Sequence, residues 1–293
     1  MTDIEGSITA LVTPLKDDRV DETAFQALVE RQIVNGTSGL VPVGTTGESS
    51  TLTDDEHERV IRLCVETASG RVPIIAGAGS NETAYTISMA KRAQSFGADA
   101  ILSVTGYYNR PSQAGLLAHY RALHDAVDLP IIIYNIPART VVGLTVDTLA
   151  ELAQLPRVIG VKDATADLAR VALQRRDCGA DFIQLSGEDM TAVGFNAMGG
   201  RGCISVTANI VPELCAKMQA ATLSGDFATA LDYQDRLAPL HEALFTDASP
   251  APTKYALSLM GLCEPDLRLP LVEPHDGSKA KVRAALKGLD LIS

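Results

Sequence analysis

The chain is expected to fold as a closed (β/α)8 barrel with a helical extension at its C-terminal end, and three observations point there. Eight apolar, β-rich runs alternate with helical patterns in strict order, and eight parallel strands with helical crossovers are the number that closes into this barrel. No G-x-G-x-x-G follows the first strand and no Walker loop is present, so the doubly wound open sheet, the competing architecture, lacks its usual sites. With 293 residues, 46% hydrophobic and 21% charged, the chain is long enough for one barrel with an extension or for two domains.

Taken in order, Ile8 to Leu15 reads as the first strand, and Asp21 to Asn35 as a helix stopped by Gly36. Gly39 to Gly44 is a second strand, entering the polar loop G-T-T-G-E-S from Gly44 to Ser49. Thr53 caps the next helix, with Glu56 three places on completing a capping box. Val72 to Ala78, Ala100 to Thr105, Pro130 to Pro137, Val158 to Thr165, Asp181 to Gly187 and Gly202 to Thr207 supply six more strands, with helical segments between them. Residues 1–225 therefore form the expected barrel. Residues 226–293, helical in pattern and punctuated by Pro250, Pro252, Pro265, Pro270 and Pro274, form a helical appendage and not a separate catalytic unit.

The formal net charge of −11, with no tryptophan and few aromatics, excludes a nucleic acid or an anionic membrane as the expected partner, since both call for a basic patch. No apolar run approaches a membrane span and Met1 to Glu5 lack the features of a signal peptide, so a cytoplasmic protein is expected. Cys64, Cys178, Cys203, Cys215 and Cys263 are widely spaced with no C-x-x-C pair. They read as small buried hydrophobes in a reducing compartment, with neither zinc nor a disulfide frame.

One strand is anomalous. V-I-G-V-K-D-A-T, from Val158 to Thr165, suits burial on both faces yet carries Lys162 near its end. Strict alternation places Val158, Gly160 and Lys162 on one face and Ile159, Val161 and Asp163 on the other, with Gly160 leaving room beside the lysine. An ammonium withdrawn from water escapes part of the cost by shedding its proton, and a neutral amine is a nucleophile suited to Schiff-base formation with a carbonyl compound. The alternative is a lysine paired with a neighbouring carboxylate.

Barrel chemistry sits at the carboxyl ends of the strands. Those ends offer Thr45, Thr46 and Glu48, then Tyr107 and Tyr108, Tyr134 and Arg139, Lys162, Gly187 and Ile204. In the fifth strand Ile132 and Tyr134 share a face, and strands lie about 4.8 Å apart, so Tyr134 and Lys162 at matching heights meet. Tyr134 then serves proton transfer, or else is an amphipathic core residue with a wet hydroxyl. The T-T-G-E loop grips a carboxylate or relays a proton, or is an ordinary turn. Arg139 forms a bidentate pair with a substrate carboxylate, or is a surface arginine.

These residues resemble one family: the dihydrodipicolinate synthase and N-acetylneuraminate lyase family of pyruvate-dependent class I aldolases. The resemblance rests on G-T-T-G-E-S (Gly44 to Ser49), Y-Y-N-R-P (Tyr107 to Pro111), Y-N-I-P-A-R-T (Tyr134 to Thr140) and G-V-K-D (Gly160 to Asp163). It extends over S-G-E-D (Ser186 to Asp189) and G-C-I-S-V-T-A-N (Gly202 to Asn209). It implies that Lys162 forms the Schiff base with pyruvate and that Tyr134 shuttles protons. Thr46 would link Tyr134 to Tyr108, the latter reaching in from a neighbouring subunit. Thr45 and Thr46 would hold the pyruvate carboxylate, and the carbonyls of Gly187 and Ile204 would line the pocket.

Arg139 after Y-N-I-P-A resembles the synthase branch, which condenses pyruvate with L-aspartate 4-semialdehyde in lysine and diaminopimelate biosynthesis. A sister aldolase acting on a 2-keto-3-deoxy acid or on N-acetylneuraminate is the alternative. The resemblance further implies no metal or organic cofactor, and a homo-oligomer, a tetramer built from tight dimers. A pyruvate-binding regulator would have lost Lys162, Tyr134 or Thr46, and a metal-dependent barrel hydrolase would want paired histidines between Thr13 and Asp18, where there are none. Four positions depart from the family pattern: Gly106 stands for a proline before Y-Y-N, Ser249 for an asparagine, and Tyr85 and Asp54 alter the lysine-binding interface site. Ser49, His57, Asn81 and Tyr107 fit that site, but without the family's glutamate the inhibitor's ammonium lacks a counter-charge. Weak or absent feedback inhibition by lysine is expected.

Overall fold

The computed structural model describes residues 4–293. Its eight barrel strands are Gly6–Ala10, Gly39–Val41, Ile75–Gly77, Ala100–Val104, Ile131–Asn135, Val158–Asp163, Ile183–Ser186 and Gly202–Ser205. All named pairings between them are parallel, in the order second, first, eighth, seventh, sixth, fifth, fourth, third. The parallel bridge Leu40↔Ile74 joins the two ends of that order and closes the ring.

Every expected strand is present, and each is shorter than its apolar run. The first ends at Ala10 and not at Leu15. Pro14 has no N–H to offer a ladder, and Leu15 instead pairs with Val20 in a separate antiparallel hairpin whose turn residues Asp17 and Asp18 take φ of 51° and 59°. The second ends at Val41 because Pro42 follows and Val43 is left-handed, at φ 49°. Helix signals map closely. Asp21 caps Glu22–Val34, Gly36 lies beyond it at φ 86°, and the Thr53–Glu56 capping box opens Asp54–Ala68.

Strand alternation separates two cores. Ile8, Ile75, Leu102, Ile132, Leu185 and Ile204 fill the barrel interior, while Ile101, Ile131, Ile133 and Val161 face the helices. Val158 breaks the expected alternation. A bulge in the pairing of Ile131/Ile132 with Val158 and Gly160 inserts Ile159, so Val158 joins Val161 on the outside and Ile159 packs against the interior. From Gly160 onward the expected faces hold. Gly160, however, makes room for the seventh strand: a Cβ there would lie 2.4 Å from the Ile183 carbonyl oxygen.

Beyond the barrel, helices Phe227–Ala243, Ala251–Leu259 and Asp276–Gly288 share a core with Val12, Leu28 and Val206. Two ion pairs tie this segment to the loop after the second strand and to the helix that follows it. Lys254 Nζ lies 2.5 Å from Glu48, both fully buried, and the Arg268 guanidinium grips both oxygens of Glu56 at 2.6 Å. Removing one partner of a buried pair such as the first costs about 3–5 kcal/mol. No helix among the described residues is long and apolar enough to cross a membrane. Cys64, Cys203 and Cys215 are buried as expected, whereas Cys178 and Cys263 are only half-buried; all five are free.

Candidate active site

Tyr134 and Lys162 are direct register partners on neighbouring strands. Lys162 is 6% exposed and Tyr134 7%, at the carboxyl end of the barrel interior. The amine sits over the face of the phenol ring, 4.2 Å from its centroid, not against its hydroxyl. Among the described residues no carboxylate pairs with Lys162, which removes the ion-pair alternative. Its neighbour Asp163 points outward, where Arg170 at 3.0 Å, Gln174 at 2.7 Å and Thr165 at 2.6 Å take up the carboxylate.

Gly187 closes the other side of the lysine. A Cβ there would stand 3.0 Å from Lys162 Cε and 2.7 Å from Ala164 Cβ, so glycine is required for the side chain to lie where it does. Ile204 is buried in the same interior core. Two acids that the strand reading did not single out follow Gly187. Glu188 is held above the ordinary carboxyl range by burial first and by Asp189 second, with Lys162 acting the opposite way. Asp189 accepts from the Ser205 hydroxyl at 2.5 Å and from the N–H groups of Val206 and Thr207 at 2.9 and 3.2 Å, locking the end of the eighth strand. Their signal was the pair of adjacent acids in S-G-E-D.

A cavity of about 450 Å³ is lined by Thr45, Ser49, His57, Tyr85, Tyr107 and Arg139, among others; neither Lys162 nor Tyr134 is among its lining residues. Thr45 is exposed there and Thr46 is buried. Arg139 sits in the short helix Pro137–Thr140, exposed and, among the described residues, without an ion-pair partner. Tyr108 takes φ 68° and is 88% exposed, so it is no part of its own chain's pocket. Among the described residues no hydrogen bond joins Thr46 to Tyr134 or Tyr108. Asn81 does not line the cavity; its carbonyl accepts from the Asn109 amide at 2.8 Å.

On the cavity's far wall the Tyr85 hydroxyl donates to Asp54 at 2.5 Å, and Arg92 reaches Asp54 at 3.1 Å and Glu58 at 2.9 Å. Burial pushes His57 below the ordinary histidine range, and its Nε2 lies 3.1 Å from the Gly77 carbonyl oxygen.

A closed parallel barrel with an unpaired lysine and a tyrosine at the carboxyl ends of adjacent strands defines a lyase of the Schiff-base-forming, class I aldolase type. The chain belongs to the dihydrodipicolinate synthetase family, whose model matches residues 3–289. It is 60% identical over 289 residues to the 4-hydroxy-tetrahydrodipicolinate synthase of Parvibaculum lavamentivorans, covering 99% of both chains. Against that of Cereibacter sphaeroides it is also 60% identical, covering 99% of this chain and all of the relative. Among solved structures, the chloride-inhibited dihydrodipicolinate synthase of Acinetobacter baumannii complexed with pyruvate superposes with a TM-score of 0.97 at 44% identity, covering 99% of this chain and 100% of that one. A monomeric dihydrodipicolinate synthase variant superposes with a TM-score of 0.96 at 37% identity, covering 98% and 97%.

Proposed function

We propose that the chain condenses pyruvate with L-aspartate 4-semialdehyde, the reaction of a 4-hydroxy-tetrahydrodipicolinate synthase. The observation that carries this is Lys162: buried, unpaired, in register with Tyr134 and bounded by a glycine that a side chain could not replace. Its amine attacks C2 of pyruvate and water leaves, giving an imine. Loss of a methyl proton turns the imine into an enamine, which forms a carbon–carbon bond to the aldehyde carbon. The product's own amine then displaces Lys162 as the ring closes, which frees the lysine for another turnover.

Tyr134 moves protons at the imine, relayed through Thr46 to Tyr108 of a neighbouring subunit. The 88% exposure of Tyr108 supports that assignment, since a tyrosine so placed contributes to a pocket only across an interface. Thr45 and Thr46 hold the pyruvate carboxylate, the carbonyls of Gly187 and Ile204 line the pocket, and Arg139 takes the carboxylate of the semialdehyde at the cavity mouth. Residues 1–225 carry these groups. The protein works in the cytoplasm as a homotetramer of tight dimers, and the association is supported by a relative described as the first monomeric dihydrodipicolinate synthase variant.

The interface site that the resemblance assigns to Ser49, His57, Asn81 and Tyr107 is a poor lysine receptor, because Tyr85 stands where the family has a glutamate and Asp54 is already committed to Tyr85 and Arg92. The test of the whole proposal is covalent capture. Incubation with pyruvate and borohydride, followed by digestion, is expected to place the added mass on the peptide holding Lys162. Turnover of both substrates with that peptide unmodified would refute it.

A further inference from the structure

The loop that carries Thr45 and Thr46 is strained at both ends. Val43 and Glu48, at its two ends, both hold left-handed backbone angles, at φ 49° and 55°, and neither has glycine's tolerance for them. Such positions persist only where the surroundings over-determine them. The loop's own main-chain bonds are short turns: the Gly47 N–H donates to Gly44 at 3.1 Å and the Glu48 N–H to Thr45 at 3.1 Å. From the barrel, the Thr13 hydroxyl donates to the Gly47 carbonyl at 2.8 Å.

A further hold, from outside the barrel, comes from the C-terminal extension. The Glu48 carboxylate, in a residue 2% exposed, accepts from the Lys254 ammonium at 2.5 Å and from the Arg268 main-chain N–H at 3.3 Å. Lys254 is wholly buried and is itself fixed by donating to the Asp266 carbonyl at 2.6 Å. An apolar contact in the same place would be non-directional, whereas a buried pair satisfied on both sides has a single geometry.

We propose that Lys254 and Glu48 are positioning residues for pyruvate: their buried pair sets the placement of Thr45 and Thr46, the groups assigned to its carboxylate, making the helical extension a working part of the substrate site. The inference rests on the reading that Lys162 captures pyruvate. Neither residue touches the substrate. The directions of the Thr45 and Thr46 donors follow from the backbone angles between Val43 and Glu48, and Glu48 cannot shift without leaving its cation.

The test compares Lys254→Met and Glu48→Gln with Leu286→Ala, which opens a cavity in the extension's own core without touching the loop. The readouts are the pyruvate concentration for half-maximal borohydride capture and the KM for each substrate, all taken below each variant's melting temperature. Lys254→Met is expected to raise the pyruvate values roughly tenfold to a hundredfold, the penalty for misplacing binding groups by about an ångström. The KM for aspartate semialdehyde should stay within about threefold, because the group assigned to it, Arg139, sits on another strand end. Glu48→Gln keeps the shape and should move pyruvate in the same direction by less; it decides the matter where Lys254→Met does not fold. Leu286→Ala should lower the melting temperature and leave pyruvate unmoved.

Wild-type pyruvate values in Glu48→Gln and Lys254→Met would overturn the proposal, as would an equal shift in Leu286→Ala. Absence of capture in the wild-type protein is a different result, and sinks the role of Lys162 instead.

Discussion

At Lys162 the deciding fact is what the amine lies against. It rests over the Tyr134 ring with no carboxylate partner among the described residues, and Gly187 leaves the space beside its Cε. If the Tyr134 hydroxyl transfers protons, Tyr134→Phe keeps the ring beneath the amine and loses only the acid–base group. The kcat in steady-state assays is then expected to fall by about 10² to 10⁴. Gly187→Ala acts through crowding: its methyl must displace Lys162 or Ala164, and a displacement of that order is expected to lower kcat by roughly tenfold to a hundredfold. A thermal melt run beside the rate measurement separates this from unfolding. Much at this scale was legible beforehand. Period-two alternation placed Tyr134 and Lys162 on facing positions, because that periodicity is a local property of the strand. The bulge that turns Val158 outward was not, since a register shift between two strands exists only once they are paired.

Among the elements, the helix Asp54–Ala68 shows how one carboxylate can serve two ends. Glu56 accepts from the Thr53 N–H at 2.9 Å, completing the capping box, and takes the Arg268 fork from the far end of the chain. The Arg268 hydrogen bonds, ahead of the cap, hold the Glu56 carboxyl down at about 2 against an ordinary 4.5. A carboxyl depressed on folding stabilises the native state fully above its unfolded value and loses that contribution as the pH falls through its folded value. The stabilisation is therefore complete above about pH 4.5 and fades toward about pH 2. Arg268→Met is expected to flatten that part of the acid profile, measured as melting temperature against pH beside the wild type. The capping box could be read from four consecutive residues. Where the strands stop could not: the left-handed angle of Val43 is not written in its apolar run, and the first strand ends at Ala10, ahead of Pro14.

For the molecule as a whole, the cavity over the barrel mouth joins Arg139 and Thr45 to Ser49, His57 and Tyr85. A free lysine docking there would need a carboxylate for its ammonium. Asp54 is already held by Tyr85 and Arg92, and Tyr85 itself carries no charge to offer. Activity is accordingly expected to be insensitive to lysine, and half-inhibition at submillimolar lysine in the coupled assay would contradict this. By itself the sequence determined the eightfold beat, the helix caps, the facing Lys162 and Tyr134, and the family, because each is written in short-range periodicity or in contiguous motifs. Only the tertiary structure decided that the ring closes through Leu40 and Ile74, and that Lys254 and Arg268 reach back to Glu48 and Glu56 across 206 and 212 residues. Contacts of that span leave no local period, since what brings the partners together is the closing of the barrel and the packing of the extension against it.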